Sequence, residues 1–283
     1  DPEFVDAPGP QTVACADGLP EVPTVTATDN CVDSDPEGPT VTYSGQTPPY
    51  DQTCTGSYKV DRTWIAEDCS GNQASHTQTI TVVDEVAPVI TGGADYLAEC
   101  DGAGNADELA DWLAIQGGAT ATDDCGIVSW SHDYEDGDLS DLCGETGSVD
   151  VVFTASDDCG NESDIELTFT IQDTEAPTLM AEPIAEVPCE TYSSDGIYEA
   201  SADDICGEAT VVLVSVNEVS SSCAGQYLHV YKAVDDCGNE SATYDQVVTL
   251  IDETAPEVTI TCPADVDLLA EEDCNADTTP AAP

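Results

Sequence analysis

The chain has 283 residues, of which 59 are Asp or Glu and only 3 are Lys or Arg, so its formal net charge at pH 7 is −56. A surface with this charge repels nucleic acid and anionic lipid, which excludes both as partners. Hydrophobic residues make up 40% of the sequence, too many for a disordered acidic tail. The charge therefore decorates a folded protein, and the ions that neutralise it must come from solution.

Fourteen cysteines occur without any CxxC pair. This usage indicates disulfides formed in an oxidising compartment rather than zinc or redox motifs. We therefore expect an extracellular or cell-surface protein. The sequence contains no run of about 18 apolar residues, which is the length that a membrane span needs. Its N-terminus also lacks the basic and apolar parts of a signal peptide. We expect no direct membrane insertion, and we expect any signal or anchor to lie outside this sequence.

The chain is an array of internal repeats. Three segments that begin at Thr63, Val152 and Val230 align with each other, and each ends in a DxxAP element. The Asp residues that open these elements are Asp84, Asp173 and Asp252, so one small domain separates them. The spacing predicts four units: 1–84, 85–173, 174–252, and 253–283 as the start of a fourth repeat. We expect the segment to belong to a longer array.

Within each unit, alternating segments such as PTVTATD and SHTQTITVVD lie between Gly, Pro, Asp and Asn clusters. This pattern predicts about seven short antiparallel strands per unit. The fold class is therefore all-β, with tandem Ig-like β-sandwich repeats joined by short acidic linkers that contain proline. One exception is ADELADWLAIQGG, in which Leu109, Trp112 and Leu113 share a face, and which predicts a helical insertion at about 107–116.

The cysteines recur four to a unit, which leaves three possible pairings within each unit. Because strands alternate in direction, the second and fourth cysteines should lie in loops at the N-terminal end of a sandwich, and the first and third at the opposite end. We therefore expect the second to pair with the fourth and the first with the third. The predicted bridges are Cys15–Cys54, Cys31–Cys69, Cys100–Cys143, Cys125–Cys159, Cys189–Cys223 and Cys206–Cys237, with the partners of Cys262 and Cys274 left open.

Oxygen ligands concentrate at the same N-terminal end. They come from the loop after the second strand, from the loop before the last strand and from the linker, and calcium prefers six to eight oxygens of this kind. The alternative is that Asp, Asn and Gly simply form good turns on a solvated acidic face. The predicted calcium ligands are Asp29, Asn30, Glu67, Asp68, Asn72, Asp84, Glu85, Asp123, Asp124, Asp157, Asp158, Asn161, Asp173, Glu175, Asp203, Asp204, Asp235, Asp236, Asn239, Asp252 and Glu253.

The repeat unit resembles the hyalin-type and related Ig-like repeats of large bacterial surface adhesins. The matching segments are Thr63 to Pro88, Val152 to Pro177 and Val230 to Pro256, together with PTVTATDNC from Pro23. The second repeat departs from the pattern through its helical insertion and through Phe153 where the first has Trp64. The resemblance implies an extracellular structural or adhesive role and no reaction.

Other motifs carry little chemistry. Ser131, His132 and Asp133 are sequence neighbours, and neighbours on a strand point to opposite faces, so they form no triad. Trp64 and Trp130 are expected in the core rather than as a sugar platform, and Asn161 and Asn239 lie in glycosylation sequons. We expect no enzyme.

Three functions remain. The first is a calcium-rigidified spacer or fibre of a surface adhesin, whose partners are calcium, neighbouring repeats and surface glycans or proteins. The second is a subunit of a self-assembling filament, because exposed strand edges accept another strand. The third is a carbohydrate-binding module, for which Tyr43, Tyr50 and Tyr192 could be exposed.

Overall fold

The computed structural model describes residues 1–30, 38–220 and 225–253. In these ranges strands are the dominant secondary structure and helices are few, so the predicted all-β tandem fold is confirmed. The first group of strands is β1 (Glu3–Val5), β2 (Gln11–Ala14), β3 (Thr26–Thr28), β4 (Thr40–Gln46), β5 (Tyr50–Cys54), β6 (Ser57–Glu67) and β7 (Gln73–Val83). The second is β8 (Val89–Gly92), β9 (Tyr96–Glu99), β10 (Ala119–Thr122), β11 (Ser129–His132), β12 (Gly147–Ser156) and β13 (Glu162–Gln172). The third is β14 (Thr178–Ala181), β15 (Ile184–Pro188), β16 (Ala200–Asp203), β17 (Ala209–Ser220), β18 (Gln226–Asp235) and β19 (Tyr244–Ile251).

Each group of strands forms one sandwich with the same plan. A two-stranded sheet (β1–β3, β8–β10 or β14–β16) faces a larger sheet whose strand order is β2-β7-β6-β4, β9-β13-β12-β11 or β15-β19-β18-β17, and β5 also pairs with β6. Pairing is antiparallel except that β2, β9 and β15 run parallel to the last strand of their repeat. The three groups follow the predicted repeats, while the exact domain boundaries stay a prediction.

Alternation along the long strands builds each core. In β6 every second side chain is buried, including Val60 and Trp64, and β12 does the same with Val151 and Phe153. Such alternation buries one face of a strand and leaves the other in water. Trp64 is 2% exposed, so it is a core residue as predicted.

The predicted helical insertion is confirmed as α1 (Ala106–Ala114). Its buried residues are Leu109 and Trp112, and the Trp112 ring centroid lies 5.2 Å from that of Phe153. Gly117 follows with φ 60°, and a Cβ there would lie 2.4 Å from Cδ1 of Leu167. The glycine therefore lets the chain turn back tightly over the core after the helix.

Polar pairs occupy one inward position of the first and third repeats. Strand register aligns Arg62 with Gln78 in the first repeat and His229 with Gln246 in the third, and all four side chains are at most 3% exposed. The second repeat has Val151 and Leu167 at the corresponding pair. The three cores therefore differ at this layer, although the strand plan is shared.

The predicted disulfides within repeats are wrong. The bridges join successive repeats instead: Cys15–Cys125 and Cys54–Cys159 connect the first repeat to the second, and Cys100–Cys206 and Cys143–Cys237 connect the second to the third. The first and third cysteines of one repeat thus pair with the second and fourth of the next. They do lie at the predicted ends of their sandwiches, but these ends abut, so the nearest partner belongs to the neighbouring repeat. The predicted Cys31–Cys69 and Cys189–Cys223 bridges and the Cys262 and Cys274 partners involve positions outside the described residues.

Candidate metal centres at the repeat junctions

The first junction gathers three carboxylates from three segments. Asp84 comes from the linker after β7, Asp123 from the loop after β10, and Asp157 from the loop between β12 and β13. One oxygen of each lies within 4.8 Å of an oxygen of the other two. Asp84 is 8% exposed and Asp157 is 6% exposed, so the cluster is largely removed from solvent.

Local hydrogen bonds fix each carboxylate on its own loop. Oδ1 of Asp123 accepts from the backbone N–H groups of Cys125 and Gly126, and Oδ1 of Asp157 accepts from those of Cys159 and Asn161. These are the short loops that Asp favours because its side chain can bond the backbone two residues on. The turn-forming role and the clustering of the carboxylates therefore coexist in the same residues.

One buried oxygen at the junction has no protein partner. Oδ1 of Asp84 accepts from the N–H of Val86, whereas Oδ2 of Asp84 is buried without a hydrogen bond in the described structure. An unpaired buried carboxylate oxygen carries a desolvation cost that a cation would offset. Because the oxygen lies beside two further carboxylates, the donor set fits a hard cation that takes oxygen ligands.

The electrostatics reflect this crowding. Burial raises the pKa of Asp84 above its ordinary value, and the negative charges of Asp123, Asp157 and Asp158 add to the rise. Burial also opposes the charge of Asp157, but hydrogen bonds from Asn161 hold the pKa of Asp157 below its ordinary value. Burial and the neighbouring carboxylates therefore disfavour the charged form of Asp84, and a bound cation would favour it.

The second junction repeats the arrangement. Asp173 from the linker and Asp204 from the loop after β16 approach each other and Sγ of Cys206, again within 4.8 Å. Asp235 lies in the place of Asp157, is 7% exposed, and has a buried Oδ2 without a hydrogen bond in the described structure. Burial raises the pKa of Asp173, and the charges of Asp204 and Asp235 contribute. The second junction thus repeats the linker and loop carboxylates of the first, while Sγ of Cys206 is already bonded to Cys100 and Asp235 acts on Asp173 through its charge.

Residues from the preceding repeat complete the junction, and the sequence analysis missed them. The N–H and hydroxyl of Thr55 both donate to Oδ2 of Asp158, at 2.8 and 2.6 Å, and this contact lowers the pKa of Asp158 to about 2. A Cβ on Gly56 would lie 2.8 Å from Oδ2 of Asp84 and 2.9 Å from Cβ of Cys125. The glycine that follows each third cysteine, Gly56 or Gly144, was the available sequence signal for this close approach.

The structure separates the predicted ligands into groups. The residues brought together are Asp84, Asp123 and Asp157 at the first junction, and Asp173 and Asp204 at the second, where the charge of Asp235 also acts on Asp173. Asp203 and Glu175 line a cavity of about 320 Å³ next to the second set. Among the other predicted ligands, Asp158 and Asp236 accept hydrogen bonds from backbone N–H groups. Asp68 accepts a hydrogen bond from Asn72, and Glu67 accepts one from Gln73. Asp29 lies 3.4 Å from the amino terminus. The ligand roles of all these residues stay predictions, as do those of Asn30, Glu85, Asp124, Asp252 and Glu253.

The two sequon asparagines are built into the junctions. Nδ2 of Asn161 donates to Oδ2 of Asp157 at 2.8 Å and to the carbonyl of Asp84 at 3.4 Å, and Nδ2 of Asn239 donates to the carbonyl of Asp173 at 3.1 Å. Because the amide nitrogen is the atom that a glycan would modify, these contacts oppose glycosylation of the folded array.

Comparisons with known proteins leave the family open. No protein-family model and no curated protein matches the chain. Solved structures that resemble it include the protocadherin gammaB4 extracellular domain (14% identity, TM-score 0.33, 89% of this chain and 51% of that one) and mouse cadherin-23 EC22-24 (12%, 0.30, 89% and 99%). The human desmocollin-1 ectodomain is a third (13%, 0.26, 94% and 65%). At these scores the likeness carries no argument, so the fold rests on the chain's own sheets and the hyalin-type resemblance stays a prediction. No helix in the described residues is long and apolar enough to cross a membrane.

Proposed function

We propose that this chain is a non-enzymatic, extracellular spacer whose repeats are joined by disulfides and stiffened by calcium at each junction. The observation that carries the proposal is the buried, unpartnered Oδ2 of Asp84 among the carboxylates of Asp123 and Asp157. The four disulfides between repeats support an oxidising location.

Calcium fits this site better than other common ions. The first cluster consists of carboxylates only, which suits a hard cation rather than zinc or copper. The oxygens come from three separate segments of the chain and lie within 4.8 Å of one another. Such a set favours the flexible geometry of calcium over the strict octahedron of magnesium. In this proposal Asp84, Asp123 and Asp157 hold the ion, and water completes its coordination.

Calcium and the disulfides have complementary effects on stiffness. The linker and two disulfides already give each junction three covalent connections, which limit how far two repeats can separate. The carboxylates repel each other across the same junction, so an ion that neutralises them draws the linker and both loops together. The array then behaves as a rod, which suits a fibre of the surface-adhesin kind that the sequence resembles.

Small-angle X-ray scattering tests this proposal in a two-by-two design. The chain is measured with millimolar calcium or with chelator, and each condition is repeated after reduction and alkylation of the cysteines. We expect a stiff profile with calcium, greater flexibility after chelation, and the largest flexibility when both are removed.

A matched variant separates site binding from general screening of the charge. Asp84→Asn/Asp173→Asn removes one carboxylate from each junction, whereas Asp111→Asn/Asp136→Asn removes two exposed carboxylates outside the described clusters and outside the predicted ligands. The junction variant should lose the calcium response and the control should keep it. An equal response in both variants, or no response in the unmodified chain, overturns the proposal.

A further inference from the structure

The outer face of the larger sheet differs sharply between the repeats. In the first repeat the neighbouring outward residues Asp61 and Thr79 form a hydrogen bond at 2.7 Å, and in the second repeat Asp150 and Thr168 do the same at the same distance. At the corresponding place in the third repeat the register pairs Leu228 with Val247. A polar pair that suits a solvated face is thus replaced by an apolar pair.

This pair lies inside a longer apolar stripe across all four strands of the third sheet. Ile184 of β15 pairs in register with Val247 of β19, and Val247 pairs with Leu228 of β18. On β18 the stripe continues to Val230, whose register partner on the edge strand β17 is Ser215, and further along β17 Val212 and Val214 are 37% and 49% exposed. Ile184 at the other end is 61% exposed, so the two ends of the stripe are exposed, whereas Leu228, Val230 and Val247 between them are half-buried.

An apolar stripe on a solvated sheet face indicates a covered surface. The outward side chains of the other two large sheets are mainly Thr, Ser, Asp and Glu, although the strand plan is the same. The fold therefore does not require the apolar side chains on the outer face of the third sheet, and we attribute them to a function of this face.

We propose that this stripe is the contact between two copies of the chain, packed face to face through their third repeats. Sheets pack well in this way when their apolar side chains interdigitate, and a twofold contact needs one patch that is complementary to itself. In a chain with a net charge of −56, the Asp found at this position in the other repeats would face the same Asp of a second copy. Leu228 removes that repulsion from the centre of the contact.

Charge at the two ends of the stripe sets the orientation. Lys232, one of 3 basic residues in the chain, lies beside Val212 at the β17 end and pairs with Glu240 of its own chain, so a second copy would add a further carboxylate to it. Glu186 extends outward from β15 at the other end. Two copies packed with their stripes antiparallel place each Lys232 against the Glu186 of the other copy. Parallel stripes would instead bring like charges together, so the antiparallel arrangement is favoured.

Sedimentation velocity over a micromolar concentration series, in about 0.15 M salt with millimolar calcium, tests the contact. The unmodified chain should show a reversible dimer. Leu228→Asp/Val247→Thr installs the pair already present in the first and second repeats, so it preserves the sheet and should weaken the dimer by roughly 100-fold or more.

A charge exchange tests the orientation. Lys232→Glu should weaken the dimer by roughly tenfold, and adding Glu186→Lys should restore it to within a few-fold, because both contacts are re-formed with reversed sign. Far-UV circular dichroism and calorimetry verify that each variant is folded. A chain that stays monomeric at the highest concentration, a Leu228→Asp/Val247→Thr variant that dimerises as well as the unmodified chain, or an exchange that restores nothing overturns the proposal.

Discussion

Replacing Asp84 by Asn should have opposite effects with and without calcium. Without calcium, Asp84 faces two carboxylates with oxygens within 4.8 Å, and two unit charges at that distance repel by about 3.5 kcal/mol at an effective dielectric constant of 20. Removing this charge should therefore stabilise the chelated junction by an amount on the order of 3 kcal/mol, which corresponds to a rise in Tm of about 6–12 °C. With calcium, the same charge attracts the ion, so its loss should weaken binding by roughly 100-fold.

Calorimetry measures both halves of this prediction. Differential scanning calorimetry in chelator should show the Asp84→Asn chain unfolding at a higher temperature than the unmodified chain, and isothermal titration should show its weaker calcium binding. Asp136→Asn, an exposed carboxylate that is not among the predicted ligands, is the control and should change either quantity little. A lower Tm for Asp84→Asn in chelator, or unchanged calcium affinity, would refute the reasoning.

The dependence of stability on pH tests the same repulsion between Asp84 and its neighbours. The pKa of Asp84 is raised in the folded chain, so in chelator its charge costs stability at neutral pH, and this cost disappears as the pH falls through the folded pKa toward the unfolded value. In chelator, the unfolding temperatures of the unmodified chain and of Asp84→Asn should therefore approach each other as the pH is lowered. With calcium bound, acidification should instead destabilise the junction, because protonation competes with the ion.

Further predictions concern other parts of the fold. Gly56→Ala should reduce calcium affinity because its Cβ would crowd Asp84, whereas Gly9→Ala, with nothing within 4 Å, should not; titration calorimetry compares them. Burial lowers the pKa of His229, so the third repeat should lose stability as the pH falls below about 6.5. This loss should be absent in His229→Gln and retained in His132→Gln, the control at an exposed histidine, when unfolding is followed between pH 8 and 5. Digestion without reduction followed by mass spectrometry should yield a cross-linked peptide that contains Cys54 and Cys159, and a Cys15–Cys54 peptide would contradict the pairing between repeats.

The sequence predicted the strands because alternation along one strand depends only on local burial. It also predicted the ends at which the cysteines lie, because strand direction fixes this within a single repeat. The choice between Cys54 and Cys159 as partners depends instead on how closely successive sandwiches abut. The sequence pattern within one repeat carries no information on the distance between two repeats, although Gly56 indicates a close approach of the chain to its neighbour.

The metal ligands show the same limit. Asp157 and Asp158 are adjacent and identical in chemistry, so sequence patterns could not separate them. In the structure Asp157 joins the buried cluster, whereas Asp158 turns to Thr55 of the preceding repeat. The difference arises from a contact between residues 103 positions apart, which only the packing of two repeats determines.

Bridges between repeats also change what happens when the array is pulled. If the second repeat unfolds under tension, Cys159 stays attached to the first repeat and Cys143 to the third. The shortest chain segment that then joins the first repeat to the third runs from Cys159 to Asp173, 14 residues (173 − 159), so the array lengthens by at most about 50 Å, whereas the 89 residues from Asp84 to Asp173 (173 − 84) would extend to about 300 Å without the bridges. A ruptured repeat would therefore yield a short, limited extension before the tension passes to covalent bonds, and the array would keep most of its length under loads that unfold its individual repeats.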